Sequence, residues 1–154
     1  MSDEPLRPDP DRLLQHTAAP HRGKLKVFFG ACAGVGKTWA MLAEAQRLRA
    51  QGLDILIGVA ETHGRKETAA MLQGLSTLPP RRLAHRGRYV YEFDLDAALA
   101  RRPALILVDE LAHSNAPGSR HPKRWQDVEE LLEAGINVFT TVNVQHLESL
   151  NDVV

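Results

Sequence analysis

Three scarcities narrow the reading of this 154-residue sequence. It has a single cysteine, Cys32, so no internal disulfide and no multi-cysteine zinc site can form. Aromatic residues make up only 5%, too few for a base-stacking surface of the kind that single-stranded nucleic acids need. Net charge is missing too: 19 Lys and Arg balance 19 Asp and Glu. A non-specific nucleic-acid binder carries a basic excess, so this balance argues against one. No apolar run approaches the ~18–20 residues that a membrane-crossing helix requires. The amino terminus has charges and prolines where a secretion signal has its apolar stretch. The expectation is a cytoplasmic α/β domain.

Residues 1–23 hold Pro5, Pro8, Pro10 and Pro20 among many charges and read as a mobile lead. The folded domain is expected over 24–154. Strands are predicted at Leu25–Phe29, 55–60, Ala104–Val108 and 136–142, each a short apolar run. Helices are predicted at 37–51, Glu67–Leu75, Asp94–Arg102, Lys123–Ala134 and 145–150. Gly52 and Gly135 mark two helix ends, and Pro122 is placed as a first helical residue. The stretch 81–93 fits either a hairpin turning at Arg-Gly-Arg, 86–88, or a strand-to-helix link. Strands alternating with helices imply a mostly parallel sheet flanked by helices, a three-layer sandwich. The pattern stops in an apolar segment without a terminator, as expected of a piece cut from a longer protein.

The strongest chemical signal is Ala31-Cys32-Ala33-Gly34-Val35-Gly36-Lys37-Thr38. It follows a predicted strand and opens a predicted helix, the context of a phosphate-binding P-loop, or Walker A motif. Alanine replaces the usual first glycine, and Gly30 stands just before it. Gly34 and Gly36 are expected to adopt unusual backbone angles that turn amides toward a phosphate. Lys37 would bridge the β- and γ-phosphates of ATP, and Thr38 would place its hydroxyl on Mg²⁺. The helix start adds free N–H groups and a partial positive charge. The competing account is a small-residue turn with a solvated lysine.

A second motif supports the first. Leu105-Ile106-Leu107-Val108 ends in Asp109-Glu110, the form of a Walker B strand. Asp109 would hold Mg²⁺ through water. Glu110 is a candidate base that polarises an attacking nucleophile, or else a solvated acid. Thr140, Thr141 and Asn143 close the fourth strand, and Asn143 is a candidate phosphate sensor; ordinary strand propensity explains the threonines equally well. Arg65, in the loop with Glu61 and His63, is another phosphate-sensing candidate. His63, His113 and His121 lack metal-ligand spacing and read as loop residues. Two basic clusters, at 81–88 and at Arg120, His121, Lys123 and Arg124, read as solvated charged faces.

The segments FFGACAGVGKTWAML (28–42), ETHGR (61–65) and VDELAHSNAPGSRHPKRWQDVEELLEAGINVFTTVNVQHLESLND (108–152) resemble the amino-terminal cytoplasmic domain of the KdpD sensor histidine kinases. These are bacterial two-component kinases that govern a high-affinity potassium pump. The resemblance implies a longer, inner-membrane protein. It would continue into a universal-stress-protein-like domain, a membrane-spanning segment and a histidine kinase core. The phospho-accepting histidine would lie in that core and not among the seven histidines here. The resemblance further implies an ATP-binding regulatory module with Mg²⁺, partnered by the remaining kinase domains. A response regulator or a potassium-pump subunit are further candidates, and neither nucleic acid nor membrane is contacted by this segment. An active P-loop ATPase or serine/threonine protein kinase is the alternative.

Overall fold

The structure, a computed structural model, describes residues 21–30 and 35–144. Its main sheet has five parallel strands: β1 (Leu25–Gly30), β2 (Ile55–Val59), β3 (Ser76–Thr77), β6 (Leu105–Val108) and β7 (Asn137–Asn143). Their order across the sheet is β1-β7-β6-β2-β3. A separate antiparallel hairpin pairs β4 (Arg81–His85) with β5 (Arg88–Glu92). The helices are α1 (Val35–Ala50), α2 (Lys66–Ala70), α3 (Leu95–Arg101) and α4 (Arg124–Glu133).

Central strands of a parallel sheet are covered on both faces, which explains why β6 is apolar at every position. Leu105 and Leu107 point to one side, with Met41, Leu42 and Ala45 of α1. Ile106 and Val108 point to the other, with Ala98 of α3 and Val128, Leu131 and Leu132 of α4. Each such burial contributes about 2 kcal/mol. The result is the expected three-layer sandwich, with α1 and the α2 region on one face and α3 and α4 on the other.

Both marked helix ends close in the same way. Gly52, at φ 93°, donates to Arg49 O while Leu53 donates to Leu48 O. Gly135, at φ 88°, donates to Leu132 O while Ile136 donates to Leu131 O. This crossed pair of bonds needs a left-handed residue, hence glycine. Asp94 caps α3, accepting from the Ala97 N–H at 3.0 Å.

Two expectations change, one alternative is decided and one strand is added. The helix predicted over Glu67–Leu75 ends at Ala70. Gln46 of α1 takes the carbonyls of Met71 and Gln73 through its Nε2, and Gly74 turns left-handed, so the chain is diverted into β3. That two-residue edge strand has no sequence signal. The 81–93 stretch is a hairpin, turning at Arg86-Gly87. Pro122 lies before the α4 cap, Lys123, and not at the first helical position; its carbonyl instead accepts from the Asn115 N–H. Among the described residues no helix is long and apolar enough to cross a membrane.

Candidate functional site

The site lies at the carboxyl ends of β1, β7 and β6, where open parallel sheets place their crevice. Because β7 runs between β1 and β6, its end lies between the strand that leads into α1 and the strand that leads into Asp109. Of the loop itself, Ala31, Cys32, Ala33 and Gly34 lie outside the described residues, as do the side chain of Val35, the lead 1–20 and the helix expected at 145–150.

Past the loop, Gly36 and Lys37 belong to the first turn of α1. Gly36 has no left-handed φ, contrary to expectation; it is a helical residue with open space where a Cβ would stand. Lys37 is 8% exposed, and its stem folds back over the end of β1. A Cβ on Gly30 would lie 2.9 Å from Lys37 Cδ. A side chain at position 30 would therefore press on the lysine stem and make it shift.

Asp109 is almost fully buried and is the most heavily hydrogen-bonded group of the site. Thr38 Oγ1 donates to Asp109 Oδ2 at 3.1 Å. The Glu61 N–H donates to the same oxygen at 2.8 Å. Thr141 Oγ1 donates to Oδ1. Three elements therefore aim one carboxylate: α1, the loop after β2, and β7. Thr141 also accepts from the Glu110 N–H at 2.9 Å. Glu110 itself is partly buried, with φ 63°. A non-glycine residue in that region is uncommon, and such outliers gather at functional sites.

Asn143 is 8% exposed and pairs in register with Gly30. Its Oδ1 is buried with no hydrogen-bond partner among the described residues. The structure thus gathers Lys37, Thr38, Asp109, Glu110 and Asn143 at the ends of three neighbouring strands. Arg65 is the exposed residue before α2 and makes no side-chain hydrogen bond among the described residues.

A residue assigned to a solvated face belongs here instead. Arg124 is 5% exposed, and its Nη1 donates to the backbone carbonyl of Asp109 at 2.8 Å. Burial pushes its guanidinium below the usual arginine range, opposed by Glu92, Glu110, Asp127 and Asp109. Glu92, at the end of the hairpin, lies 3.7 Å from Arg124 Nη2. It also bonds His113 Nε2 at 2.9 Å and accepts from the Ala116 N–H at 2.8 Å. The loop after Asp109 is therefore pinned from the hairpin and from α4. Sequence reasoning missed Glu92 and Arg124. Strand alternation was the one available signal for Glu92, since it shares an inward face with Leu83 and Val90. Asp127 completes the cluster, accepting from Asn115 Nδ2 at 2.9 Å. Burial raises its carboxyl above the ordinary value, and the Asn115 bond opposes that.

Fold and site together define a three-layer α/β protein whose polar centre lies at the ends of parallel strands, on a buried aspartate. Comparison with known proteins narrows this further. The family described as "KdpD: Osmosensitive K+ channel His kinase sensor domain" matches residues 21–154. "Sensor protein KdpD" of Escherichia coli K12 is 86% identical over 154 residues, all of this chain and 17% of that protein. The protein of the same name from Mycobacterium tuberculosis (strain CDC 1551 / Oshkosh) is 54% identical over 142 residues, 92% of this chain and 16% of that protein. That of Clostridium acetobutylicum is 53% identical over 152 residues, 96% and 17% respectively. The chain belongs to the KdpD family, and it spans about a sixth of the length of these relatives.

Proposed function

We propose that this chain is a Mg-ATP-binding regulatory domain of a potassium-responsive sensor histidine kinase. The observation that carries the reading is the convergence of Thr38 and Asp109, 3.1 Å apart, beside a lysine folded over the end of β1. A hydroxyl and a carboxylate are hard oxygen donors suited to Mg²⁺, which is held by one or two such groups together with water and substrate phosphates. Thr38 and Asp109 would hold the ion, and it would supply charge neutralisation at the β- and γ-phosphates. The loop Ala31–Thr38 would wrap the phosphates. Lys37 would give a point charge between them, its stem lying beside Gly30. Asn143, with a buried unpartnered oxygen, would read the terminal phosphate or a water beside it.

A regulatory role needs ATP and ADP to differ in their contacts. Asn143 and the Asp109–Glu110 segment are the groups placed to make that difference. The signal would pass to the other domains of a full-length sensor kinase at the bacterial inner membrane, and through them to a response regulator or to a potassium-pump subunit.

Calorimetric titration with Mg-ATP and Mg-ADP tests this, with Lys37→Ala as the control. Binding lost in the variant, and tighter for ATP, is the expected result. Equal binding by Lys37→Ala and the parent chain would end the reading.

The backbone of Glu110 favours a second reading, in which the domain also hydrolyses ATP or transfers its phosphate to a protein hydroxyl. The Thr141 bond holds the backbone of Glu110 where its φ is 63°, which fixes the point from which the carboxylate reaches out, as the placing of a base requires. Under this reading Glu110→Gln abolishes turnover while Mg-ATP still binds.

A further inference from the structure

The β4–β5 hairpin stands outside the main sheet, and among the described residues only one of its faces is packed. Leu83, Val90 and Glu92 turn inward. Arg82 and Tyr91 are paired across the ladder, as are Ala84 and Tyr89, and all four are exposed. Tyr89 is 60% and Tyr91 61% exposed, the two largest values among the exposed large apolar and aromatic side chains of the described residues. Over residues 81–92 the sequence has four arginines against one glutamate, and that glutamate, Glu92, is buried.

The turn adds an independent sign. It has two residues, Arg86 at φ 53° and Gly87 at φ 74°, with His85 paired to Arg88. Two positive φ values in a two-residue loop favour Asn-Gly, and an arginine in the first place is a poor choice for stability. That choice sets a guanidinium at the tip of the hairpin. Residues that disfavour their own backbone conformation are a recognised mark of function.

We propose that the outer face of this hairpin, Tyr89, Tyr91 and Arg82 with Arg86 at its tip, is a docking surface for an acidic protein segment. Charge complementarity selects the occupant. The Arg82 guanidinium lies 4.2 Å from the Tyr89 ring centroid, fixed as a cation–π pair. Its N–H edges remain available for a bidentate carboxylate. The covered ring face is closed to a stacking base, and the chain has no net positive charge, so RNA suits the surface less well. Tyrosine at such a site offers rigid contact area and a hydroxyl donor at low entropic cost. The surface is separate from the nucleotide reading and stands without it.

The test uses the 154-residue chain and a fluorescein-labelled poly-glutamate peptide, read by anisotropy at about 0.15 M salt. Saturable binding is expected. Arg82→Ser combined with Tyr91→Ser should weaken it about tenfold, since arginine and tyrosine carry most interface energy. Arg86→Asn should improve the turn, leaving thermal stability equal or higher, yet weaken the peptide about threefold through loss of one exposed charge. That pairing separates docking from folding. No binding, or unchanged affinity in both variants, overturns the proposal. So does tighter binding of oligouridylate or of phosphatidylglycerol vesicles than of the peptide.

Discussion

The hydroxyl of Thr141 links Asp109 to Glu110: it donates to the carboxylate of the first and accepts the backbone N–H of the second. One side chain on β7 thus sets both the aim of the buried aspartate and the turn of the glutamate. Thr141→Val keeps the shape and removes both bonds. Leaving a buried polar group unsatisfied costs about 1–3 kcal/mol. Denaturant unfolding should show that loss, and Mg-ATP affinity should fall about tenfold as Asp109 loses its alignment. Thr141→Ser should restore both. Unchanged affinity in the valine variant would mean that Asp109 needs no support from β7.

Glu110 presents the opposite balance, function against stability. A left-handed conformation costs an ordinary residue roughly 1–2 kcal/mol, less for asparagine. Glu110→Asn should therefore leave stability equal or raise it by up to about 1 kcal/mol. If the carboxylate takes part in phosphoryl transfer, turnover disappears in the same variant while Mg-ATP binding remains. A variant less stable than the parent would show that the side chain contributes packing or charge that outweighs the backbone cost.

The backbone plan was largely open to reading, for a physical reason. Buried parallel strands are continuous apolar runs, and glycine is required where Gly52 and Gly135 close α1 and α4. Asp109 was legible because an acid after Leu105–Val108 must fall at the end of a buried strand. Arg124 was not. In sequence it sits among Arg120, His121 and Lys123 and looks like one more solvated cation. Its burial depends on a carbonyl 15 positions away and on Glu92, 32 positions away, pairings that no local pattern encodes. The short α2 was hidden for the same reason, since Gln46 takes the carbonyls that a longer helix would use.

That buried arginine gives a further test. Removing one partner of a buried ion pair leaves the other charge uncompensated, at about 3–5 kcal/mol. Glu92→Gln should therefore destabilise strongly, although glutamine can still accept from the Ala116 N–H. Arg124 already has its Nε buried without a partner among the described residues, so the pair is imperfectly satisfied. Glu92→Gln combined with Arg124→Met should then be less destabilising than the two single changes summed. Additive losses would show that the two groups act separately.

Asp127 supplies a pH dependence with a definite sign. Burial raises its carboxyl above 3.8, so the folded state holds this proton more tightly than the unfolded chain does. Its contribution to stability is full below 3.8 and is lost as pH rises through the higher folded value. At neutral pH the ionised group is a burden. Asp127→Asn should leave the neutral-pH Tm equal or higher, and should flatten the decline that sets in as pH rises above 3.8 in the parent. A Tm series across that range decides the matter. A lower neutral Tm in the variant would mean that attraction to His121 and Arg124 exceeds the cost of burial.

Asn143 separates binding from stability most cleanly. Its Oδ1 is buried and takes no hydrogen bond from any described residue. Beside it in register is Gly30, over which the stem of Lys37 lies. A buried acceptor kept at the end of a central strand is a cost without return unless something binds there. Asn143→Leu removes the stranded oxygen and keeps the volume. Stability should change by less than about 1 kcal/mol, or rise. The preference for Mg-ATP over Mg-ADP should fall to near unity, with ADP affinity unchanged. A loss of both affinities would place Asn143 with the loop, as a support for Lys37. An intact ATP preference would remove it from the site altogether and leave the terminal phosphate to Glu110 and the loop.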